Sequence, residues 1–163
     1  MQATGQSQFC EIRQSGIHNR GLFATQDITE GTRIIEYIGE KITKAKAQHR
    51  ANAWDQEART TGKGFVYIFE LNKRFDIDGN TEENTARLIN HSCEPNCEAN
   101  IVRGHIWITA IQDIITGEEL TYDYGYDMEH FLDHPCYCAK PSCLGFIVRE
   151  DQRSKVRRLL RGR

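Results

Sequence analysis

Three cysteines fall within eight residues in CYCAKPSC, residues 136 to 143, and no other feature limits so sharply what this chain can fold into. C-x-C-x4-C around a proline is a tight loop bearing three soft ligands. It suits tetrahedral zinc, whose fourth ligand must come from elsewhere in the chain. Cys10, Cys93, Cys97, His130 and His134 are the candidates. Four thiolates would close the coordination sphere and leave no place for water, so the expected ion is structural. The alternative is three buried or free thiols that are neighbours by chance, and the close spacing weighs against it. Six cysteines in 163 residues are too few and too unevenly spaced for a disulfide framework. In a reducing compartment that usage favours metal binding or catalysis.

The rest of the chain predicts one domain with a sizeable core. Its hydrophobic content is 39%, and no stretch approaches the apolar length of a membrane span. The opening MQATGQSQ has neither a basic n-region nor an apolar h-region, so an intracellular protein without membrane contact is expected. TRIIEYIGEKI, GFVYIFEL and HIWITAI have the β-branched and aromatic content of strands. TKAKAQHRANAWDQEAR, from residue 43, has helix-forming composition and a Thr43 cap. Its apolar face is only alanine and Trp54, which predicts a surface helix within an insertion over residues 43–64. Gly104 and Gly117 mark turns between short apolar runs. Short helices are expected near residues 83–89 and at the C-terminus, giving a mainly β domain with small helical additions.

Charge is segregated. RSKVRRLLRGR, residues 153 to 163, holds six of the 21 Lys and Arg and no acid, leaving residues 1 to 152 with 15 basic against 23 acidic groups, a balance of −8. An acidic body favours encounter with a cationic partner such as a lysine-rich peptide. The tail reads first as a solvated terminal helix, with nucleic-acid contact as the alternative.

RLINHSCEPNC, residues 87 to 97, crowds Arg87, Asn90, His91, Cys93 and Cys97 together. Standing alone, Asn90 and His91 would be a buried polar pair satisfying loop backbone groups. They do not stand alone. SGIHNRGLFA at 15 to 24, RLINHSCEPN at 87 to 96, GEELTYDYG at 117 to 125 and CYCAKPSC occur in an order and spacing that resemble SET-domain protein lysine methyltransferases with a post-SET zinc segment. The likeness runs from about Ile12 to Gly145.

The resemblance implies a β-clip type SET fold: small curved β-sheets around a knot-like core, short helices and a C-terminal zinc loop. The SET domain would span residues 1–129, the post-SET segment 130–148 and the basic tail 149–163. Ile17, His18, Arg20, Arg87, Asn90, His91, Tyr124 and Leu144 would bind the cosubstrate S-adenosylmethionine. Cys93 would join Cys136, Cys138 and Cys143 around one structural zinc, with Cys97 an ordinary packed thiol. Where the family has a glycine this chain has Asn19, the non-glycine residue that best tolerates positive φ, so the turn is expected to survive.

Methyl transfer to lysine faces a protonation barrier. With a pKa of about 10.4, roughly one lysine in a thousand is the free amine at neutral pH, an obstacle of about 4 kcal/mol. A narrow apolar channel beside a positive sulfonium would disfavour the ammonium. By resemblance Tyr37, Tyr67, Tyr122 and Tyr124 line that channel, with Tyr124 the catalytic tyrosine. Without the resemblance, Tyr37 and Tyr67 would be strand packing, and Tyr122 and Tyr124 simply two aromatics on one side of a strand. Asp123 is expected to point away and cap local backbone, and Glu118 and Glu119 to be a solvated strand entry without a catalytic role. Tyr122 occupies the family's product-switch position, which predicts predominant monomethylation. The substrate would be a lysine-containing basic peptide or histone tail, added along a strand edge beside the 43–64 insertion. A non-histone protein substrate, or a zinc-stabilised module without catalysis, are the alternatives. A monomer is expected, at chromatin in a eukaryote or as a host-directed effector, and in the cytoplasm as a free-standing bacterial protein.

Overall fold

A computed structural model describes residues 5–61 and 67–162. β1 (Cys10–Gln14) and β2 (Arg20–Ala24) form an antiparallel pair. β3 (Arg33–Tyr37) and β4 (Glu40–Thr43) lead into α1 (Lys44–Thr61). Then come β5 (Ile68–Glu70), β6 (Phe75–Asp78), β7 (Asn90–His91), β8 (Cys97–Val102), β9 (His105–Ala110) and β10 (Thr121–Tyr122), and the described chain closes on α2 (Arg153–Arg161). Short 3-10 turns occupy Thr85–Leu88, Met128–Asp133 and Glu150–Gln152. The strands group into four small sheets, β1-β2, β3-β9-β8, β4-β6-β5 and β7-β10. This is the mainly β architecture with short helices that the sequence predicts. No helix among the described residues is long and apolar enough to cross a membrane.

Isoleucine spacing places the core. HIWITA alternates, burying Ile106, Ile108 and Ala110 against Leu22, Ile35, Ile89, Ile114 and Leu120. Each such side chain, fully buried, contributes about 1.5–3 kcal/mol relative to exposure. The two residues between β8 and β9, Arg103 and Gly104, have φ of 51° and 82°, the doubly left-handed geometry whose twist matches a hairpin.

TRIIEYIGEKI is not one strand but two. A side chain at Gly39 would meet the Asp78 carbonyl oxygen at 2.1 Å, so glycine lets the chain cross closely over β6 between two sheets. The GFVYIFEL strand is described only from Tyr67 onward, with β5 starting at Ile68, and residues 64–66 lie outside the described residues.

α1 starts as predicted, with the Lys46 amide donating to Thr43 Oγ1 at 3.3 Å. Its attachment to the sheet is mainly ionic: Ala47 is its one buried residue among those described. Lys44 pairs with Asp76 at 2.5 Å, Lys46 and Arg50 with Glu40 at 2.6 and 2.7 Å, and Arg50 also with Asp78. Residues 62–64, the end of the expected insertion, lie outside the described residues.

β7 and β10 pair in parallel, Asn90 with Thr121 and His91 with Tyr122, with the β8-β9 hairpin in the intervening chain. Here the last SET-like motif is laced along the NHSC segment. The terminal helix is only half solvated: Arg153 and Val156 are buried, and Val156 packs with Phe131 and Val148.

Candidate active site and cysteine cluster

An aromatic wall runs from the middle of the sheets to the C-terminal segment. Ring centroids are 5.3 Å apart for Tyr37 and Phe69, 6.0 Å for Phe69 and Tyr122, 5.0 Å for Tyr122 and Tyr124, and 5.6 Å for Tyr124 and Tyr126. Such tilted contacts are the favoured geometry for phenol rings. Each strand brings one part: β3 ends on Tyr37, β5 carries Phe69 and β10 ends on Tyr122. Tyr37 Oη donates to the Tyr67 carbonyl at 2.7 Å. Tyr67 stands at the edge of this wall, its ring 6.4 Å from that of Trp54 on α1 and 5.4 Å from the Arg87 guanidinium carbon. The structure thus brings Tyr37, Tyr122 and Tyr124 together, with Tyr67 and Arg87 as a flanking pair.

Burial keeps these phenols protonated. It raises the Tyr37, Tyr122 and Tyr124 hydroxyls well above the ordinary tyrosine range, raises Tyr67, and pushes Tyr126 up to about 12. They offer hydrogen bonds and apolar surface, not phenolate bases. Tyr124 Oη donates to the Ile89 carbonyl at 2.8 Å, and its amide donates to His91 Nδ1 at 3.1 Å. Tyr122 Oη has no hydrogen-bond partner among the described residues.

On the other side of β7 the side chain of Asn90 gathers the first motif. Its Nδ2 lies 3.1 Å from Ser15 Oγ, 3.1 and 3.4 Å from the Arg20 and His18 carbonyls, and 2.8 Å from Glu119 Oε1. Ser15 Oγ donates to that carboxylate at 2.7 Å and accepts from the Ile17 amide at 2.9 Å. Asn19 has φ of 42°, so the expected left-handed turn is present. A Cβ at Gly21 would come within 2.2 Å of Glu119 Oε1, so a larger residue there would displace that carboxylate from Asn90 and Ser15. Ile17 is half-buried while His18 and Arg20 are exposed, and a Cβ at Gly16 would meet nothing within 4 Å, which leaves the loop open to a ligand.

Sequence reasoning missed Glu119 and Tyr126. Glu119, expected with Glu118 as a solvated strand entry, is instead half-buried, because Asn90 and Ser15, 29 and 104 residues away in sequence, bond its carboxylate. Tyr126, which continues the two-residue spacing of YDYGY, was visible in principle. Asp123 caps locally as expected, accepting from the Gly125 amide at 2.9 Å, but also binds Arg153 at 2.8 Å.

Cys93, Cys136, Cys138 and Cys143 converge, all four sulfurs within 4.8 Å of one another. Cys93 and Cys136 are 3.9 Å apart. A tetrahedron with metal–sulfur bonds of about 2.3 Å has edges of about 3.8 Å, so the set fits a soft tetrahedral cation. Two amides already point at it, Cys93 toward Cys138 Sγ at 3.5 Å and Gly145 toward Cys143 Sγ at 3.3 Å. Without a cation the cluster is uneven: the hydrogen bond with Cys136, then burial, holds the Cys93 thiol up, burial raises Cys143 to about 11, and the hydrogen bond with Cys93 pulls Cys136 down to about 3. Of the other candidate ligands, Cys97 is packed in the main core with Cys10 against it, and neither His130 nor His134 belongs to the cluster. Leu144 is half-buried against Phe131, Val148 and Val156. Cys93 lies two residues past His91, whose Nε2 is 3.6 Å from its sulfur, so the cluster and the Asn90-His91 segment share one short strand and its continuation.

The SET domain description matches residues 19–125. A histone-lysine N-methyltransferase, H3 lysine-4 specific, from Kluyveromyces lactis is 41% identical over 140 residues, 82% of this chain and 14% of that protein. Proteins of the same name from Saccharomyces cerevisiae and Schizosaccharomyces pombe are 39% and 42% identical over 82% of this chain, which spans 13% and 14% of their lengths.

Proposed function

The chain belongs to the SET-domain family, and on that premise we propose that it is a protein-lysine N-methyltransferase acting on a histone tail. The supporting observation is the placement of Tyr124, fixed by its hydroxyl to Ile89 and by its amide to His91 within a wall of buried and half-buried rings. Ile17, His18, Arg20, Asn90 and His91 hold S-adenosylmethionine, with Arg87 and Leu144 flanking. That cosubstrate supplies a methyl carbon on positively charged sulfur, to which the lysine nitrogen lone pair bonds as the carbon–sulfur bond breaks.

The chain's own groups do the rest. Tyr37, Phe69, Tyr122 and Tyr124 exclude water from the lysine side chain, which disfavours its ammonium form. Because the Tyr124 proton is committed to Ile89, its oxygen lone pairs remain to orient the amine. Holding nitrogen and methyl carbon in line supplies the orientation term that substitutes for a bimolecular encounter. Tyr122, whose hydroxyl finds no hydrogen-bond partner among the described residues, bonds the amine or its water and crowds a methylated nitrogen, so monomethyl product predominates. Cys93, Cys136, Cys138 and Cys143 hold one structural zinc.

The relatives' names make lysine 4 of histone H3 the first substrate to test, and the acidic body suits such a basic tail. Labelled methyl donor with histones and a lysine-peptide array should give transfer to histone H3. Binding of S-adenosylmethionine without transfer to any lysine would favour the non-catalytic alternative, and transfer confined to other proteins the non-histone one.

The exposed Lys155, Arg157, Arg158 and Arg161 of α2 form no ion pair among the described residues, which favours a contact with nucleic-acid phosphate beside the histone tail. Four phosphate contacts give a salt slope of about −3.6 in log affinity. Binding of duplex DNA that is unchanged by replacing all four with Gln would remove that contact.

A further inference from the structure

Arg153 lies beyond the residues matched to the SET domain, in a tail whose composition reads as solvated, yet it is only 9% exposed. Its guanidinium makes three hydrogen bonds: Nε to the Val148 carbonyl at 2.9 Å, Nη1 to the Cys93 carbonyl at 2.6 Å and Nη2 to Asp123 Oδ2 at 2.8 Å. Each acceptor belongs to a different part of the site. Val148 anchors the packing of α2. Cys93 is a member of the sulfur cluster and follows His91 by two residues. Asp123 separates Tyr122 from Tyr124, and its Oδ1 lies 3.7 Å from His91 Nδ1, the atom that accepts the Tyr124 amide hydrogen.

We infer that Arg153 is a positioning residue that locks the cysteine lobe to the segment carrying Tyr124. This rests on the proposed roles of the cluster and of Tyr124. The planar fork is what makes one cation serve three acceptors in three directions, and a lysine ammonium on a flexible stem cannot reproduce it. With the fork in place, the metal lobe, α2 and Tyr124 share one rigid position. Without it, Asp123 keeps only the Gly125 and Glu150 amides and the Cys93 carbonyl loses its charged partner, so no single cation ties the sulfur cluster to the tyrosine.

The test uses the full zinc-loaded chain with Arg153→Gln and Arg153→Lys. Val156→Ala is the control: it loosens the packing of α2 and removes none of the three hydrogen bonds of Arg153. Three quantities are read: zinc release to a chromophoric chelator, calorimetric affinity for S-adenosylmethionine, and kcat and KM on a histone H3 peptide. Both Arg153 variants should release zinc about tenfold faster and lose about tenfold in kcat while peptide KM changes little, the scale of loss seen when outer-shell partners of a metal site are removed. Val156→Ala should lower Tm and leave zinc release and kcat near wild type.

Wild-type zinc release and kcat in Arg153→Gln would overturn the inference. So would Val156→Ala reproducing both losses, which would make α2 docking alone responsible. If Arg153→Gln does not fold, Asp123→Asn breaks the same link from the other side and is judged by the same readouts. If the wild type transfers no methyl group, the functional reading fails, while zinc release and S-adenosylmethionine affinity still decide the role of Arg153.

Discussion

The hydroxyl of Tyr124 donates to the carbonyl of Ile89 across 2.8 Å, so the proton of this phenol is fixed by backbone. Ile89 is itself fully buried in the main core, which makes the acceptor immobile. Tyr124→Phe keeps the ring and its packing but loses this orientation. Turnover should fall by about 100-fold or more, on the scale of removing one oriented polar group from an active site. Calorimetry should find S-adenosylmethionine affinity nearly unchanged, and a variant with close to full activity would refute the assignment.

Tyr122 has the complementary character, a buried ring whose hydroxyl finds no protein partner among the described residues. Tyr122→Phe should therefore cost little stability while opening space beside the amine. Mass spectrometry of a histone peptide should show di- and trimethyl product rising at the expense of monomethyl. Unchanged product ratios would remove the product-switch role.

Elemental analysis should find one zinc per chain. Chelation, or Cys143→Ser, should lower Tm and weaken S-adenosylmethionine binding together, because Cys93 and His91 are two residues apart and in contact. Loss of metal with methyl-donor affinity intact would separate the two sites.

At alkaline pH the half-buried Tyr126 ring contributes to the loss of stability. Tyr126 is pushed up to about 12 by burial, whereas an exposed tyrosine titrates near 10, so its neutral form belongs to the folded state. The stability tied to that protonated phenol is complete below about pH 10 and is lost as pH rises from there toward about 12, where roughly 2 kcal/mol is gone. Denaturant unfolding at stepped pH checks this, and Tyr126→Phe should flatten the decline. An identical decline in that variant would exclude Tyr126 as its source.

What was legible in the sequence was what local pattern encodes. Alternation in HIWITA gives β9, Thr43 gives the start of α1, and C-x-C-x4-C gives three of the four clustered sulfurs. The break of TRIIEYIGEKI was not legible, because the need for Gly39 comes from an Asp78 carbonyl 39 residues later. Nor was Glu119, a carboxylate in an ordinary turn until Asn90 and Ser15 arrive beside it. Arg153 was hidden by its neighbours: in a run of cations nothing local tells which one will be buried, and only the positions of Cys93 and Asp123 decide it.

The parallel pairing of β7 with β10 has a kinetic consequence. Two strands of two residues each have little stability alone, and the loop between them must close before they meet, so their pairing follows collapse of the β8-β9 hairpin they enclose. During refolding, capture of S-adenosylmethionine should therefore lag burial of the β8-β9 core, which stopped-flow binding set against intrinsic fluorescence would check.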